Sequence, residues 1–569
     1  MSAECPRIAR SILHFIVRRL TISGVIRRPQ RTRAGRAIIR AQMSIPGGLR
    51  RVAGAPIYPF LAAAYPVVFL YAQNVHEAIA FADVLLALAA SLGGSALCFG
   101  FLSAITRRPA RAAVLTTWLV ALFCTYGLAY TGFTGAVGAR GLPHVMTLTA
   151  WTALAVVGIV VITAVGDRVR AVTMPLNAIG SILLVINLVT IGAFALNLRA
   201  DPVRAGNPLA SMQPTTIHAT PDIYWIILDR YGSGSVLDEF YGDNNTAFLD
   251  ELRGRGFYVA AEATANYLKT GLSMVSSRNM EYLDGAALTE RAKAPDDWGP
   301  IYRDLAAPFT VERFLATQGY RFIYLGTYWA PTQRHPSAEI NYVYDKLGSE
   351  FLDVLSRSTA LLALEDLGTD APYDWRRNRW NQTRYEWDRL NHATTLDGPK
   401  FVHAHLALPH DPFVFHTDGS FVTEQEAANR SWAQNYVDQV GYANMETLAF
   451  IDGLLALPPE EQPILVIQAD EGPWPQRYRQ NERQFDWTSA TPAELREKFG
   501  ILSTFYLPGM DAEAIGLYSS ITPVNQFRVL FNEYFGLDLP TVPDRNYIFP
   551  NQGNLYEFID VTDLLRGAN

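Results

Sequence analysis

Cysteine is scarce in this chain: its 569 residues include only Cys5, Cys98 and Cys124. All three precede residue 218, so the C-terminal two thirds can hold neither a disulfide nor a cysteine-ligated zinc site. Histidine is sparse too, and the last of its ten residues is His416. A metal site that takes a histidine from the residues after His416 is therefore excluded.

Lysine is absent from the first 217 residues, and acidic residues are rare there. That part of the chain has 20 Arg and five acidic residues, a net charge of +15. Because the whole chain has a net charge of −6, residues 218–569 carry −21. This asymmetry excludes a fibrous or disordered chain and an ordinary cytosolic enzyme. The length exceeds that of one ordinary core, so at least two structural units are predicted.

Five apolar stretches in the basic third have the length to cross a bilayer. Arginines alternate between their ends: twelve precede the first stretch, none lies in the next loop, and three follow the second. Positive residues stay on the cytoplasmic side, so the N-terminus is predicted to be cytoplasmic and the chain beyond the fifth stretch to lie outside. The stretches are Ile57–Tyr71, which Pro66 interrupts, Ile79–Ala104, Ala112–Val137, Met146–Val165 and Pro175–Leu196.

Ionisable residues are nearly absent from these stretches, and Asp83, near the outer end of the second, is the one that comes close. A charge in hydrocarbon is costly and is kept for function. Residues 57–197 are therefore predicted to be a five-helix membrane anchor rather than a transporter. Residues 1–56 are predicted to be a basic cytoplasmic segment. Its first 42 residues are similar to a transit or surface-binding sequence, or the chain starts at Met43; both interpretations are open.

Prolines break any regular pattern in residues 198–220, which are predicted to form a linker. Beyond it, short β-rich runs alternate with helical patterns, as in a mostly parallel sheet covered by helices. Residues 221–569 are therefore predicted to form one large extracytoplasmic α/β domain. The predicted strands are Ile223–Leu228, Arg321–Leu325, Phe401–His405, Ile464–Gln468 and Leu502–Leu507.

Carboxylates and imidazoles follow three of these strands, where a parallel sheet binds its ligands. Each alone is equally well a helix cap or a turn residue, but together they indicate a metal site. They are, in chain order, Asp229, His403, His405, His410, Asp470 and Glu471.

A hydroxyl nucleophile is offered by Thr270, in a segment that precedes a helical pattern. At a helix N-terminus the free amides and the helix dipole favour an alkoxide and the oxyanion of a phosphate or sulfate. Threonine also commonly caps a helix. The two roles are compatible.

Four segments together resemble the alkaline phosphatase/sulfatase superfamily in its membrane-anchored branch, which includes lipoteichoic acid synthases and phosphoethanolamine transferases. In that branch five membrane spans precede an extracytoplasmic sulfatase-like domain. The resemblance is carried by the order of the segments and their placement at strand ends. They read PDIYWIILDRYG, NYLKTGLSMVSSRNM, FVHAHLALPHDPF and VIQADEGP.

The resemblance implies a role for each matching residue. Asp229 corresponds to the first metal carboxylate, Thr270 to the metal-bound nucleophile and Asp470 to the aspartate of the family's Asp-His-Gly. The imidazole that holds the anionic group or protonates the leaving oxygen corresponds to His405 or His410.

Glu471 departs from the family pattern, which usually has a histidine ligand there. With no histidine after His416, this departure favours one metal ion over two zinc ions. The oxygen-rich set of Asp229, Thr270, Asp470 and Glu471 suits Mn²⁺, Mg²⁺ or Ca²⁺ better than Zn²⁺.

Two functions of different classes follow. The first is a membrane-anchored phospho- or sulfo-ester hydrolase or head-group transferase that acts on anionic lipid or envelope glycan in the bilayer, with no nucleic-acid partner. In it Arg230, Arg477 and Arg479 would assist the metal in binding the anion, or are ordinary surface arginines. The alternative is a non-catalytic sulfatase-like envelope protein that keeps a binding cleft around a degenerate metal site.

Overall fold

A computed structural model describes residues 55–75, 79, 81–137, 144–198, 209, 220–243, 245–344, 350–367, 374–482 and 484–567. The predictions for residues 1–54, including the start at Met43, and for most of the linker lie outside this part. The chain forms two compact units. One comprises residues up to 200 and the segment Phe351–Asp374, and the other comprises nearly all the remaining residues.

The first unit is helical, and its helices coincide with the five predicted apolar stretches. A 3₁₀ helix, Gly166–Val172, joins the last two. Among the residues that the structure describes, three segments are long and apolar enough to cross a membrane: Phe81–Thr106, Pro109–Phe133 and the continuous His144–Ala195. Five separate spans therefore stay a prediction. The helices are α1 (Tyr58–Gln73), α2 (Phe81–Thr106), α3 (Pro109–Val137), α4 (His144–Val165) and α5 (Thr173–Leu198).

The second unit is built on a seven-stranded sheet of order β2-β7-β6-β1-β5-β3-β4. Strand β1 is central and pairs in parallel with β5 and β6, while β7 and β2 add an antiparallel edge. The sheet is mostly parallel, as predicted. The strands are β1 (Ile223–Leu228), β2 (Tyr258–Val259), β3 (Arg321–Leu325), β4 (Ile340–Tyr342), β5 (Lys400–Leu406), β6 (Ile464–Gln468) and β7 (Ser503–Tyr506), with a separate hairpin of β8 (Tyr547–Ile548) and β9 (Ile559–Asp560).

Helices cover the sheet, because every residue of β1, β5 and β6 is buried and parallel strands require cover on both faces. One hydrophobic core runs through this unit. The helices between β1 and β4 are α6 (Gly234–Tyr241), α7 (Thr246–Gly254), α8 (Thr270–Asn279), α9 (Gly285–Arg291), α10 (Gly299–Leu305), α11 (Thr310–Thr317) and α12 (Ala330–Gln333).

The chain after β4 contains one departure from the predicted division into domains. Helix α13 (Glu350–Ser358) and a 3₁₀ helix, Ala360–Leu367, lie in a segment that belongs to the helical unit. Its apolar residues pack on α1 and α2. The later helices are α14 (Trp375–Ala393), α15 (Glu424–Ala428), α16 (Trp432–Leu455), α17 (Gln476–Gln480), α18 (Pro492–Phe499), α19 (Pro523–Phe535) and α20 (Thr562–Arg566).

Candidate metal centre and active site

The candidate site lies at the carboxyl ends of three adjacent parallel strands. Asp229 directly follows β1, His405 is the next-to-last residue of β5, and Asp470 comes two residues after β6. Because these strands are neighbours in the sheet, their ends meet at one edge. The sequence segments of the predicted metal site are thus brought together.

Asp229, His405 and Asp470 form a buried cluster of potential metal ligands. One ligand atom from each residue lies within 4.8 Å of the others. His405 Nε2 is 3.4 Å from Asp229 Oδ2, and its Nδ1 is 3.3 Å from Thr332 Oγ1. The cluster differs from the ligand set proposed from sequence, because it includes His405 and does not include Glu471.

Unsatisfied polar atoms in the cluster fit a cation. Asp229 Oδ1, His405 Nε2 and Asp470 Oδ2 are buried, and no residue of the described chain offers them a hydrogen bond. Buried polar atoms are nearly always paired, and buried carboxylates are paired or bind metal. Two carboxylates and one imidazole are together a normal donor set for a divalent ion.

The charges of the cluster also call for a cation. Burial and the charges of Asp229 and Glu471 raise the pKa of Asp470 well above its usual range. Burial opposes ionisation of Asp229 as well, but His410, His405 and Arg230 together lower its pKa. A divalent ion between the two carboxylates would favour the ionised form of both.

Thr270 reaches this cluster from the first turn of α8, which begins at Thr270. Its hydroxyl is near enough to the Asp470 carboxylate to lower the pKa of Asp470, in opposition to the burial effect. The side chain is half-buried. The residue that caps the helix is Lys269, whose backbone is extended. Thr270 is therefore the first helical residue, with its hydroxyl held at the candidate site.

Glu471 is fully buried and binds two cationic side chains. Its Oε1 lies 3.1 Å from Arg230 Nε and 3.1 Å from Lys498 Nζ, and it accepts a 3.2 Å hydrogen bond from Trp474 Nε1. Lys498 is also fully buried and donates to the Gly472 carbonyl at 2.9 Å. One carboxylate oxygen is thus occupied by two organic cations.

Arg230 is buried among acidic groups rather than exposed. Its Nη1 donates to Asp411 Oδ1 at 2.9 Å, and its guanidinium stacks on Trp474 at 3.4 Å from the ring centroid. Its backbone is left-handed, with φ of +63°, which is strained for a side-chain-bearing residue. This conformation lets its backbone N–H donate to Asp470 Oδ1 at 3.3 Å.

His410 lies beside this group of charges. Its Nδ1 is 3.6 Å from Asp411 Oδ1, and its ring packs edge-on against Trp474. Burial and the positive charge of Arg230 lower its pKa, against the opposing charges of Asp229 and Asp411. His403, in contrast, is fully buried between Trp225 and Tyr324.

The other two arginines proposed for anion binding make contacts typical of structural residues. Arg477 is half exposed and pairs with Glu494 at 3.3 Å. Arg479 stacks on Trp432 and donates to the Trp474 carbonyl at 2.8 Å. Neither has a contact with the metal cluster in the described part of the chain.

Two lysines at the site were missed from the sequence. Lys269 Nζ donates to Tyr478 OH at 2.6 Å and lies 4.2 Å from the Trp474 ring centroid. Lys498 lies on the other side of Glu471. The chain has only five lysines, and two of them lie at this site, but no pattern in the sequence places them there.

No family model and no curated protein sequence matches the chain. Among solved structures, it is similar to the C-terminal periplasmic domain of EptC from Escherichia coli in complex with zinc. The identity is 12% and the TM-score 0.39, over 62% of this chain and 95% of that one.

Two further structures extend this comparison. The lipoteichoic acid synthase LtaP from Listeria monocytogenes has 14% identity and a TM-score of 0.36, over 59% of this chain and 78% of that one. The integral membrane phosphoethanolamine transferase EptA from Neisseria meningitidis has 12% identity and a TM-score of 0.38, over 86% of this chain and 84% of that one. Both kinds of protein are those that the motifs resemble. At such identities and TM-scores, function has to be inferred from the residues of the site.

Proposed function

We propose that the chain is a membrane-anchored, metal-dependent transferase or hydrolase of phosphate esters, with Thr270 as its nucleophile. One observation carries this proposal: a hydroxyl at a helix N-terminus lies beside a buried Asp-His-Asp cluster in which one polar atom of each residue lacks a hydrogen-bond partner. A cluster kept only for stability would leave unpaired carboxylates in the core at a high energetic cost.

The metal would be held by Asp229, His405 and Asp470. When bound, a divalent ion lowers the pKa of a nearby hydroxyl and neutralises the oxygens of the phosphate. The imidazole in the set favours Mn²⁺ or Zn²⁺ over Mg²⁺ and Ca²⁺, which prefer oxygen ligands alone. We retain one ion per chain, because Glu471 Oε1 already contacts Arg230 and Lys498 and the potential ligand cluster of the described chain is Asp229, His405 and Asp470.

The chain's own residues account for a two-step transfer. Thr270 Oγ attacks phosphorus as its proton passes to the Asp470 carboxylate, and the bond between phosphorus and the leaving oxygen breaks. The leaving oxygen takes a proton from His410, whose pKa an anionic substrate would raise. Water or an acceptor hydroxyl then attacks the phosphothreonine as its proton passes to His410, the bond between phosphorus and Thr270 breaks, and the Thr270 oxygen takes back its proton from Asp470.

The substrate class follows from the anchor. Apolar helices hold the enzyme at a bilayer, so lipid head groups and envelope glycans are the esters within its reach. The Arg alternation supports an N-terminus in the cytoplasm and a catalytic domain outside it. Arg230 and Lys269 supply positive charge beside the cluster in a domain that is otherwise acidic.

Activity of the full chain in lipid nanodiscs tests this function. The chain is treated with a chelator and assayed on phosphatidylethanolamine, phosphatidylglycerol, 4-nitrophenyl phosphate and 4-nitrophenyl sulfate, with Mn²⁺, Zn²⁺, Mg²⁺ or Ca²⁺ restored one at a time. We expect head-group release from a phospholipid that stops on chelation and returns with Mn²⁺ or Zn²⁺. Turnover that survives chelation would contradict metal dependence, and turnover of the sulfate alone would contradict the ester class.

The non-catalytic alternative gives a different outcome in the same assay. Glu471 favours that alternative, because it stands where the family usually has a histidine ligand and its Oε1 contacts Arg230 and Lys498. A chain that is folded but binds none of the four metals and acts on none of the four esters would support it.

A further inference from the structure

The segment between β4 and α14 leaves the sheet-based unit. Residues Phe351–Asp374 belong to the helical unit, although the chain on both sides of them belongs to the other. Within this segment, α13 is followed at once by the 3₁₀ helix Ala360–Leu367.

The segment is packed into the helical unit by apolar contacts. Phe351 is 4% exposed and lies in a buried cluster with residues of α1 and α2. The other apolar side chains of α13 pack against the same cluster. Its members are Val67, Leu70, Val84, Ala87 and Phe351, with Leu352, Val354 and Leu355 packed on it.

A glycine of α3 permits the closest approach. A Cβ at Gly127 would overlap the Arg357 carbonyl oxygen and lie 2.8 Å from the Ser358 carbonyl carbon. Backbone there packs on backbone with no room for a side chain. Gly132, five residues later in the same helix, has open space around it.

The contacts fix the end of the bundle at which the segment lies. Val84 and Ala87 are in the first two turns of α2, and Arg107 and Arg108 follow its last turn. These two positions are about 35 Å apart along a helix of this length. The segment therefore lies at the end of α2 remote from the arginines. By the rule that places positive residues in the cytoplasm, this is the outer end.

One leucine of the segment is partly exposed. Leu361 is 37% exposed, whereas the adjacent Leu362 and Ala363 are buried. The 3₁₀ helix that carries it packs on α3 and α4. Large exposed apolar side chains on those two helices include Phe133 and Val145. Leu361 thus adds an exposed apolar side chain to those of the two helices on which its segment packs.

We propose that residues 350–367 form a membrane-interface element that inserts Leu361 into the outer leaflet. Its partner is the lipid surface, at the depth where acyl chains meet head groups. The element gives the chain of the outer domain two further connections to the helical unit besides the linker.

Site-specific fluorescence in the full chain tests this element. Native cysteines are replaced by serine, a single cysteine at Leu361 is labelled with a polarity-sensitive dye, and the protein is placed in nanodiscs that contain head-group-proximal nitroxide lipids. We expect strong quenching at Leu361→Cys. Met445→Cys, which is 42% exposed on α16, is the matched site and should be quenched several-fold less.

Two variants of α3 test how the element is seated. Gly127→Leu should reduce quenching at position 361 by displacing the segment, and Gly132→Leu should leave it unchanged. Equal, weak quenching at positions 361 and 445 in the parent chain would overturn the proposal without reference to either variant. Because the readout is optical, it is independent of whether the protein turns over a substrate.

Discussion

Thr270→Ala is expected to lower turnover of any ester that the chain processes by about 10⁴-fold or more, the range seen when a nucleophile is removed. The reason is that no bond to phosphorus can form without the Thr270 oxygen. Folding should be retained, because Thr270 is the first helical residue rather than the cap. The measurement is kcat on the substrate found in the metal-restoration assay, with thermal unfolding of both proteins alongside.

Two variants control this result. Thr270→Ser keeps the attacking oxygen and should retain measurable turnover. Thr289→Ala removes a hydroxyl bonded only to its own helix backbone on exposed α9 and should match the parent chain. If Thr270→Ala turns over substrate as fast as the parent chain, the assignment of Thr270 as the nucleophile is refuted.

Glu471→Gln should lower the free energy of unfolding by about 3–5 kcal/mol, as loss of one partner of a buried ion pair does. The isosteric amide removes the charge that neutralises Arg230 and Lys498 while keeping the shape. The free energy of unfolding is measured by chemical denaturation of the full chain in detergent. Glu339→Gln removes an exposed pair with Arg321 and should leave the free energy of unfolding nearly unchanged, because solvent screens such a pair. Equal effects of the two variants would contradict the ion network.

The pH dependence of stability gives this network a second signature. Burial, with the charges of Arg230 and Lys269, lowers the pKa of Lys498 to about 8, against the opposing effect of Glu471. Between that value and the ordinary lysine pKa the unfolded chain binds more protons, so stability rises with pH across this interval and is flat below it. In Glu471→Gln the pKa of Lys498 falls further, and the rise should begin at a lower pH.

The sheet was predictable because its strands are short apolar runs bounded by polar segments. The predicted Ile223–Leu228, Arg321–Leu325 and Ile464–Gln468 match β1, β3 and β6. Since strand ends in a parallel sheet meet at one edge, the convergence of Asp229, His405 and Asp470 could also be anticipated. Short β2 and β4 lack this pattern and were missed.

The partner of Glu471 could not be predicted from the sequence. Lys498 follows Glu471 by 27 residues, and tertiary packing places the two together. Gly472 allows the two backbone segments to approach each other, since a Cβ at this position would come 2.7 Å from the Lys498 carbonyl oxygen. A sequence shows that Glu471 can bind a metal but not that two cations already bind it.

The membrane-interface element was hidden for a related reason. Its apolar residues read as an ordinary amphipathic helix of the outer domain. Their burial depends on Val67 and Val84, almost 300 residues earlier in the chain. Packing between residues so far apart along the chain leaves no recognisable pattern in the local sequence.

Metal content tests the central claim most directly. The full chain and its variants are loaded with Mn²⁺, freed of excess metal and measured by elemental analysis. We predict one ion per parent chain, none in Asp470→Asn, and one in both Glu471→Gln and the exposed control Asp388→Asn. Two ions per parent chain, retention of the ion by Asp470→Asn, or its loss from Glu471→Gln alone would contradict the Asp229–His405–Asp470 site.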